Sequence, residues 1–256
     1  MYYILPMLQI RRTARQCGWA TALFASALLT FSVSATADDL KVVELFTSQG
    51  CYSCPAADEL VGKMADNNPA ILNLEFHVDY WNGLQYRSEG NWEDPFSSAE
   101  YSLRQRLYSA RTLEGRNGVY TPQAVINGVY GTVGSDAGGM KRGLTRSHSL
   151  PITVSVSQEN DGMLTISVEG EPTGADAQVY LVSFLRKTVT NVTSGENHDK
   201  LMENHNVVVD LQPIAQLENL ESKPVQVAFA GSHNLDCAIL VQLSGQGPMV
   251  GAARCP

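Results

Sequence analysis

Residues 41–46, Lys-Val-Val-Glu-Leu-Phe, form after the leading Lys41 an apolar block interrupted only by Glu44, the pattern of a strand buried on both faces. Leu60, Val61 and Met64 then recur at helical spacing, which predicts a helix over 56–65 that Asn67-Asn68-Pro69 stops. Residues 71–79, Ile-Leu-Asn-Leu-Glu-Phe-His-Val-Asp, alternate as a second strand does. Strand, helix, strand over about forty residues predicts a βαβ unit with parallel strands and a right-handed crossover.

A long polar loop with Trp81, Tyr86, Trp92 and Phe96 fills 80–96. Ser97-Ser-Ala-Glu100 reads as a capping box and opens a helix through Leu103, Leu107 and Tyr108. Asn127-Gly128 between the apolar runs 123–126 and 129–133 predicts a hairpin. A helix follows over 136–147, weakened by Gly138, Gly139 and Gly143. From Pro151 the period becomes two. Residues 152–156 and 164–168 alternate around an Asn160-Asp161-Gly162 turn, and 179–189, 206–211, 225–229 and 238–243 continue as strands. The expected architecture is an α/β domain over 38–149 followed by an all-β, antiparallel sandwich-like domain over 150–256.

The amino terminus differs from all of this. Arg11, Arg12 and Arg15 precede an apolar run from Trp19 to Val33, and Ala35-Thr36-Ala37 ends it. That is the layout of a secretory signal peptide over 1–37 with cleavage after Ala37. The run, about fifteen residues with polar Ser and Thr, is short for a membrane span. Without residues 1–37, 15 basic and 26 acidic residues remain, a formal charge of −11. There is no basic stripe, so nucleic acid and anionic membrane surfaces are not expected partners. No later segment is apolar enough to span a bilayer, and the expected location is the periplasm or the exterior.

Four cysteines lie beyond residue 37: Cys51, Cys54, Cys237 and Cys255. Disulfides persist outside the cytosol, and four cysteines allow three pairings. The simplest joins Cys51 to Cys54 and Cys237 to Cys255. The second bond would close a loop of about eighteen residues and add roughly 3 kcal/mol. Equally, Cys237, in the apolar run Cys-Ala-Ile-Leu-Val, reads as a free core thiol.

The pair Cys51-Tyr-Ser-Cys54-Pro55 sits where the first strand gives way to the first helix. A thiol there meets free N–H groups and the positive end of the helix dipole, which favours a nucleophilic thiolate. Cys54, one turn on, can resolve a mixed disulfide, and Pro55 starts the helix without wasting a donor. Asp58 reads as an exposed first-turn acid. With the later helix, Thr121-Pro122, hairpin and helix, the order of elements resembles the thioredoxin fold. That resemblance implies a cis-proline, Pro122, facing the cysteine pair, and a buried acid, Glu44, as proton acceptor for Cys54. Glu44 reads equally as a carboxylate held by backbone or arginine. His77, Asp79, Trp81 and Thr121 are secondary candidates, and a structural hydrogen bond is the alternative reading of His77 and Asp79.

The motifs Glu44-Leu-Phe-Thr-Ser-Gln-Gly-Cys51-x-x-Cys54-Pro, Phe76-His-Val-Asp-Tyr-Trp81, Asp94-Pro-Phe, Arg104-Gln-x-x-Tyr108 and Gly118-Val-Tyr-Thr-Pro-Gln123 resemble a secreted, thioredoxin-like bacterial family, domain of unknown function 1223. The 82–93 loop departs from the family by its greater length. The expected function is a thiol–disulfide oxidoreductase using Cys51 and Cys54. It would act on thiol- or disulfide-containing proteins or small thiols in a direction, reductase or oxidase, that its redox potential sets, exchange electrons with a membrane or periplasmic partner, and need no cofactor or metal. The alternatives are a binding module holding Cu(I) or Zn(II) through Cys51, Cys54 and His77, and a protein whose Cys51–Cys54 bond is structural.

Overall fold

The computed structural model describes residues 1, 40–158, 162–170, 174–220 and 224–256. Apart from Met1, the expected signal peptide with its cleavage point after Ala37 lies outside the described residues, as do Asn160 and Asp161 of the expected turn. Among the described residues no helix is long and apolar enough to cross a membrane.

Strand β1 (Lys41–Thr47), helix α1 (Pro55–Asn67) and strand β2 (Ile71–His77) form a parallel unit, with Lys41 opposite Ile71 and Thr47 opposite His77. Helix α2 (Ala99–Ser109) follows, and the Ser98 hydroxyl caps it by accepting from the Glu100 N–H. After the short β3 (Glu114–Gly115) come β4 (Gln123–Ile126), β5 (Tyr130–Val133) and α3 (Ala137–Arg146). Asn127 and Gly128 both have positive φ and make the β4–β5 hairpin.

The carboxyl-terminal half does not form the separate sandwich-like domain expected of it, and the α/β thioredoxin-like architecture is not what the chain adopts. After β6 (Thr153–Gln158) and β7 (Met163–Glu169), two long strands, β8 (Ala177–Val192) and β9 (Lys200–Leu217), form an extended hairpin. Strand β10 (Val225–Ala228) precedes the last pair, β11 (Leu235–Leu243) and β12 (Met249–Arg254). Among the described residues one mixed sheet of nine strands runs in the order β12-β11-β8-β9-β2-β1-β4-β5-β3. The seam is parallel pairing of Glu75 on β2 with Val207 on β9. A smaller sheet, β10-β7-β6, stands apart. Alternation in sequence reveals which face of a strand is apolar, but not which edge it joins. The free edge of β2 takes β9, so the second half extends the first half's sheet.

Three apolar clusters follow from this layering. Val43, Leu45 and Ile126 pack against Ala57 and Val61 of α1 and Met140 of α3. Val42, Phe46, Leu72 and Phe76 pack against Tyr101 and Tyr108 of α2, and the same cluster takes in Val182, Phe184 and Val208 from the second half. The small sheet covers β8 and β11 with Val154, Ile166 and Val168. A Cys237–Cys255 disulfide ties β11 to the carboxyl terminus.

Candidate functional site

The carboxyl end of β1 delivers the chain to a tight turn at Ser48-Gln49-Gly50. Gly50 lies against Trp81, whose Cβ would be 3.2 Å from any Cβ added there. The Cys51 N–H donates to Ser48 O, and Cys51 and Cys54 are joined with their Cα atoms 5.4 Å apart. Cys54 is the residue before the first turn of α1, and Pro55 occupies the first helical position. The bond therefore caps the positive end of a 13-residue helix.

Opposite it stands Thr121-Pro122, joined by a cis peptide bond. Thr121 Oγ1 lies 3.4 Å from Cys51 Sγ, in position to donate to it. Trp81 Nε1 donates to the same Oγ1 at 2.8 Å. An indole N–H only donates, so Thr121 accepts from Trp81 and keeps its own proton for an acceptor. The Cys51 sulfur and the Tyr80 hydroxyl are the acceptors beside it.

Glu44 is placed elsewhere. Val43 and Leu45 turn toward α1, whereas Glu44 lies on the other face of β1 with Val42 and Phe46. There its carboxylate accepts from Arg104 Nε at 2.6 Å and from the Tyr108 hydroxyl, and Gln242 bonds both of those partners. Asp79 accepts from the Ser102 hydroxyl of α2 at 2.5 Å. His77 is fully buried with Nδ1 2.7 Å from Asp94 and Nε2 3.8 Å from Glu75. Thus Thr121, Pro122 and Trp81 gather at the cysteine pair, while Glu44 and Asp79 are committed to α2.

Asp58 lies four residues after Cys54, on the same face of α1. It is buried, not exposed as a first-turn acid would be, and accepts from the Thr47 hydroxyl at 2.6 Å. Burial, then the neighbouring Glu75 carboxylate, push its pKa well above the ordinary range. Burial opposes charge on His77 as well, but Asp94 and Glu75 outweigh it and push the imidazole up to about 10. Asp94 shows the reverse balance: burial alone would raise it, yet His77 and the N–H groups of Gln49 and Phe96 hold it below its usual value. Beneath the cysteines lies a sealed polar layer of Asp58, Glu75, His77 and Asp94. Asp58 Oδ2, both Glu75 oxygens and His77 Nε2 make no hydrogen bond there. The signal for this layer was present: Asn73, Glu75 and His77 occupy every second position of β2, all on the α1 side. Among the described residues no three His, Cys, Asp or Glu side chains are grouped to hold a metal ion.

Both cysteines are buried, although Tyr52 and Ser53 between them are exposed. The turn of the β8–β9 hairpin, of which no local sequence pattern warns, bonds the backbone of this motif. Asn197 Nδ2 donates to Gln49 O and Cys51 O at 2.8 and 2.9 Å, and Glu196 Oε2 accepts from the Tyr52 N–H at 3.0 Å.

A family model described as a protein of unknown function (DUF1223) matches residues 42–242. The chain is similar to the crystal structure of protein AGR_C_4864 from Agrobacterium tumefaciens. Sequence identity is 30% and the TM-score 0.67, with 84% of this chain and 93% of the other covered. No curated protein matches the chain.

Proposed function

The chain belongs to the DUF1223 family of proteins of unknown function, and from the geometry of its site we propose that it is a thiol–disulfide oxidoreductase with Cys51 as attacking and Cys54 as resolving cysteine. The observation that carries this reading is Thr121 Oγ1, oriented by Trp81 and 3.4 Å from the Cys51 sulfur at the positive end of α1. A hydroxyl donor and a helix terminus both favour the thiolate over the thiol. A disulfide that only braces the fold needs neither.

In the reducing direction, the Cys51 thiolate attacks a substrate disulfide and forms a mixed disulfide. The expelled substrate sulfur leaves as a thiolate and takes a proton. Cys54 then gives up its proton, attacks the Cys51 sulfur and releases the second substrate thiolate. The protein loses two electrons and two protons, and the substrate gains them. Asp58 is the buried acid on the Cys54 face of α1 and the group we assign to that proton; Glu44 is already held by Arg104. The same steps reversed oxidise a substrate dithiol. Substrates would be proteins or small thiols, with a membrane or periplasmic electron partner. The sequence features of residues 1–37 support export, with cleavage after Ala37.

The burial of both sulfurs favours a second reading, a bond that is purely structural. Equilibration with glutathione and dithiothreitol buffers, followed by alkylation and mass analysis, decides between them. A midpoint between about −120 and −270 mV supports the oxidoreductase, and one below about −300 mV without exchange onto a protein disulfide supports the structural bond.

A further inference from the structure

Beyond Lys187 and His205 the β8–β9 hairpin leaves the nine-stranded sheet. Strand β8 pairs with β11 up to Leu185, and β9 touches β2 only at Val207. The arms cross α1, where Gly62 makes room for the His205 ring. Residues 193–199, Thr-Ser-Gly-Glu-Asn-His-Asp, then form the turn over the cysteine pair. Asn197 is fully buried and gives its amide hydrogens to the carbonyls of Gln49 and Cys51; its Oδ1 accepts from Lys200 Nζ at 2.7 Å. Glu196 holds the Tyr52 N–H, and Lys200 Nζ sits 4.7 Å above the Tyr52 ring. On the far flank the Ser194 hydroxyl donates to Asn91 O and the Gly195 N–H donates to Glu89 O. The turn thus bridges the cysteine motif and the long 82–93 loop.

No side chain from 193 to 199 is apolar. Gly195 lies against the Trp92 side chain, and the other contacts of the turn are polar ones that water can replace; segments held mainly in that way open locally at small cost. Resting on the oxidoreductase reading, we propose that residues 193–199 are a gate over the Cys51–Cys54 bond and that Asn197 is its latch, a specificity-determining residue that keeps small thiols from the bond while the gate is shut. A thiol reaches the Cys51 sulfur only after the amide of Asn197 has left the carbonyls of Gln49 and Cys51.

Dithiothreitol is the probe. Its thiolate attacks the Cys51 sulfur, the Cys51–Cys54 bond breaks and Cys54 leaves as a thiolate that takes a proton. The second dithiothreitol thiol loses its proton and closes on the first sulfur, freeing Cys51. The reagent is oxidised to its cyclic disulfide and the protein gains two electrons. Reduction of the oxidised full chain is followed by timed alkylation. Asn197→Ala removes three hydrogen bonds, two of them to the cysteine motif, and is expected to raise the rate about tenfold. Glu196→Ala, which leaves the buried amide in place, is expected to give a smaller rise and guards against misfolding of the first variant. Amide exchange in 193–199 rises in parallel, while exchange in β1 and β2 stays unchanged. Equal rates in parent and folded variants overturn the gate. A raised rate, with a bond too stable to exchange with glutathione, upholds the gate and sinks the oxidoreductase reading. A bond that dithiothreitol opens in none of them overturns both.

Discussion

At the scale of single residues, two side chains set the chemistry of the site. Thr121 supplies the donor to the Cys51 sulfur, and Trp81 orients it. Thr121→Val keeps the shape and removes the donor. A hydrogen bond to a charged group contributes about 1.5–3 kcal/mol, so the Cys51 thiol in the reduced protein is expected to rise by about one pKa unit or more. Alkylation rate against pH measures this, and Trp81→Phe gives a smaller shift. The buried layer makes a prediction about stability. His77 is raised to about 10, so the folded state holds a proton that the unfolded chain releases near its ordinary value of 6.5. Its contribution is complete below that value and declines as pH rises toward 10. Asp58, also raised, loses stability in the same direction, and Asp94, lowered, loses it only on acidification. Urea unfolding from pH 4 to 10 is expected to show falling stability. Asp58→Asn, which stays neutral and can still accept from Thr47, flattens the part of that fall that begins just above the ordinary carboxylate range.

At the scale of elements, α1 has two characters. Its Val61 and Ala57 meet the apolar side of β1, while Asp58 and Gly62 meet the polar side of β2 and the β9 arm. Gly62 has helical neighbours, and Ala there would gain roughly 1 kcal/mol of helix propensity. A Cβ at that position would lie 2.6 Å from the His205 ring. Such crowding costs about 1–3 kcal/mol, so Gly62→Ala is expected to destabilise on balance, measured by thermal unfolding. The period-two and period-3.6 patterns of 41–79 show their elements plainly because their apolar faces are complete. The hairpin arms are different. Residues 200–205 are mostly polar, so β9 starts at Lys200, six residues before the strand expected at 206–211, while β8 ends at Val192, three residues past the one expected at 179–189. Half of the site was legible for the same reason. Cys51, Cys54, Thr121, Pro122 and Trp81 stand in local motifs, whereas Asn197 and Glu196 reach the site through pairing that no local pattern encodes.

At the scale of the whole molecule, the seam between Glu75 and Val207 removes the expected boundary between an α/β domain and a sandwich. Phe46, Leu72 and Phe76 share one apolar cluster with Val182, Phe184 and Val208. Residues 38–149 alone would leave that cluster open and an edge of β2 unpaired. The truncated chain is therefore expected to lack cooperative unfolding and to aggregate, as calorimetry and light scattering would report. The full chain is expected to unfold in one transition. The Cys237–Cys255 bond closes the last hairpin of that shared sheet.

Asn197 lies 146 positions after the carbonyl of Cys51 that it holds, and this distance along the chain has a temporal meaning. A ribosome adds residues at about 5–20 per second, amino-terminal first. For several seconds after Cys51 and Cys54 emerge, the residues that will roof them do not yet exist. During that interval no contact from Glu196 or Asn197 restrains the cysteine motif, and the hairpin's hold on it begins only once residue 197 has followed.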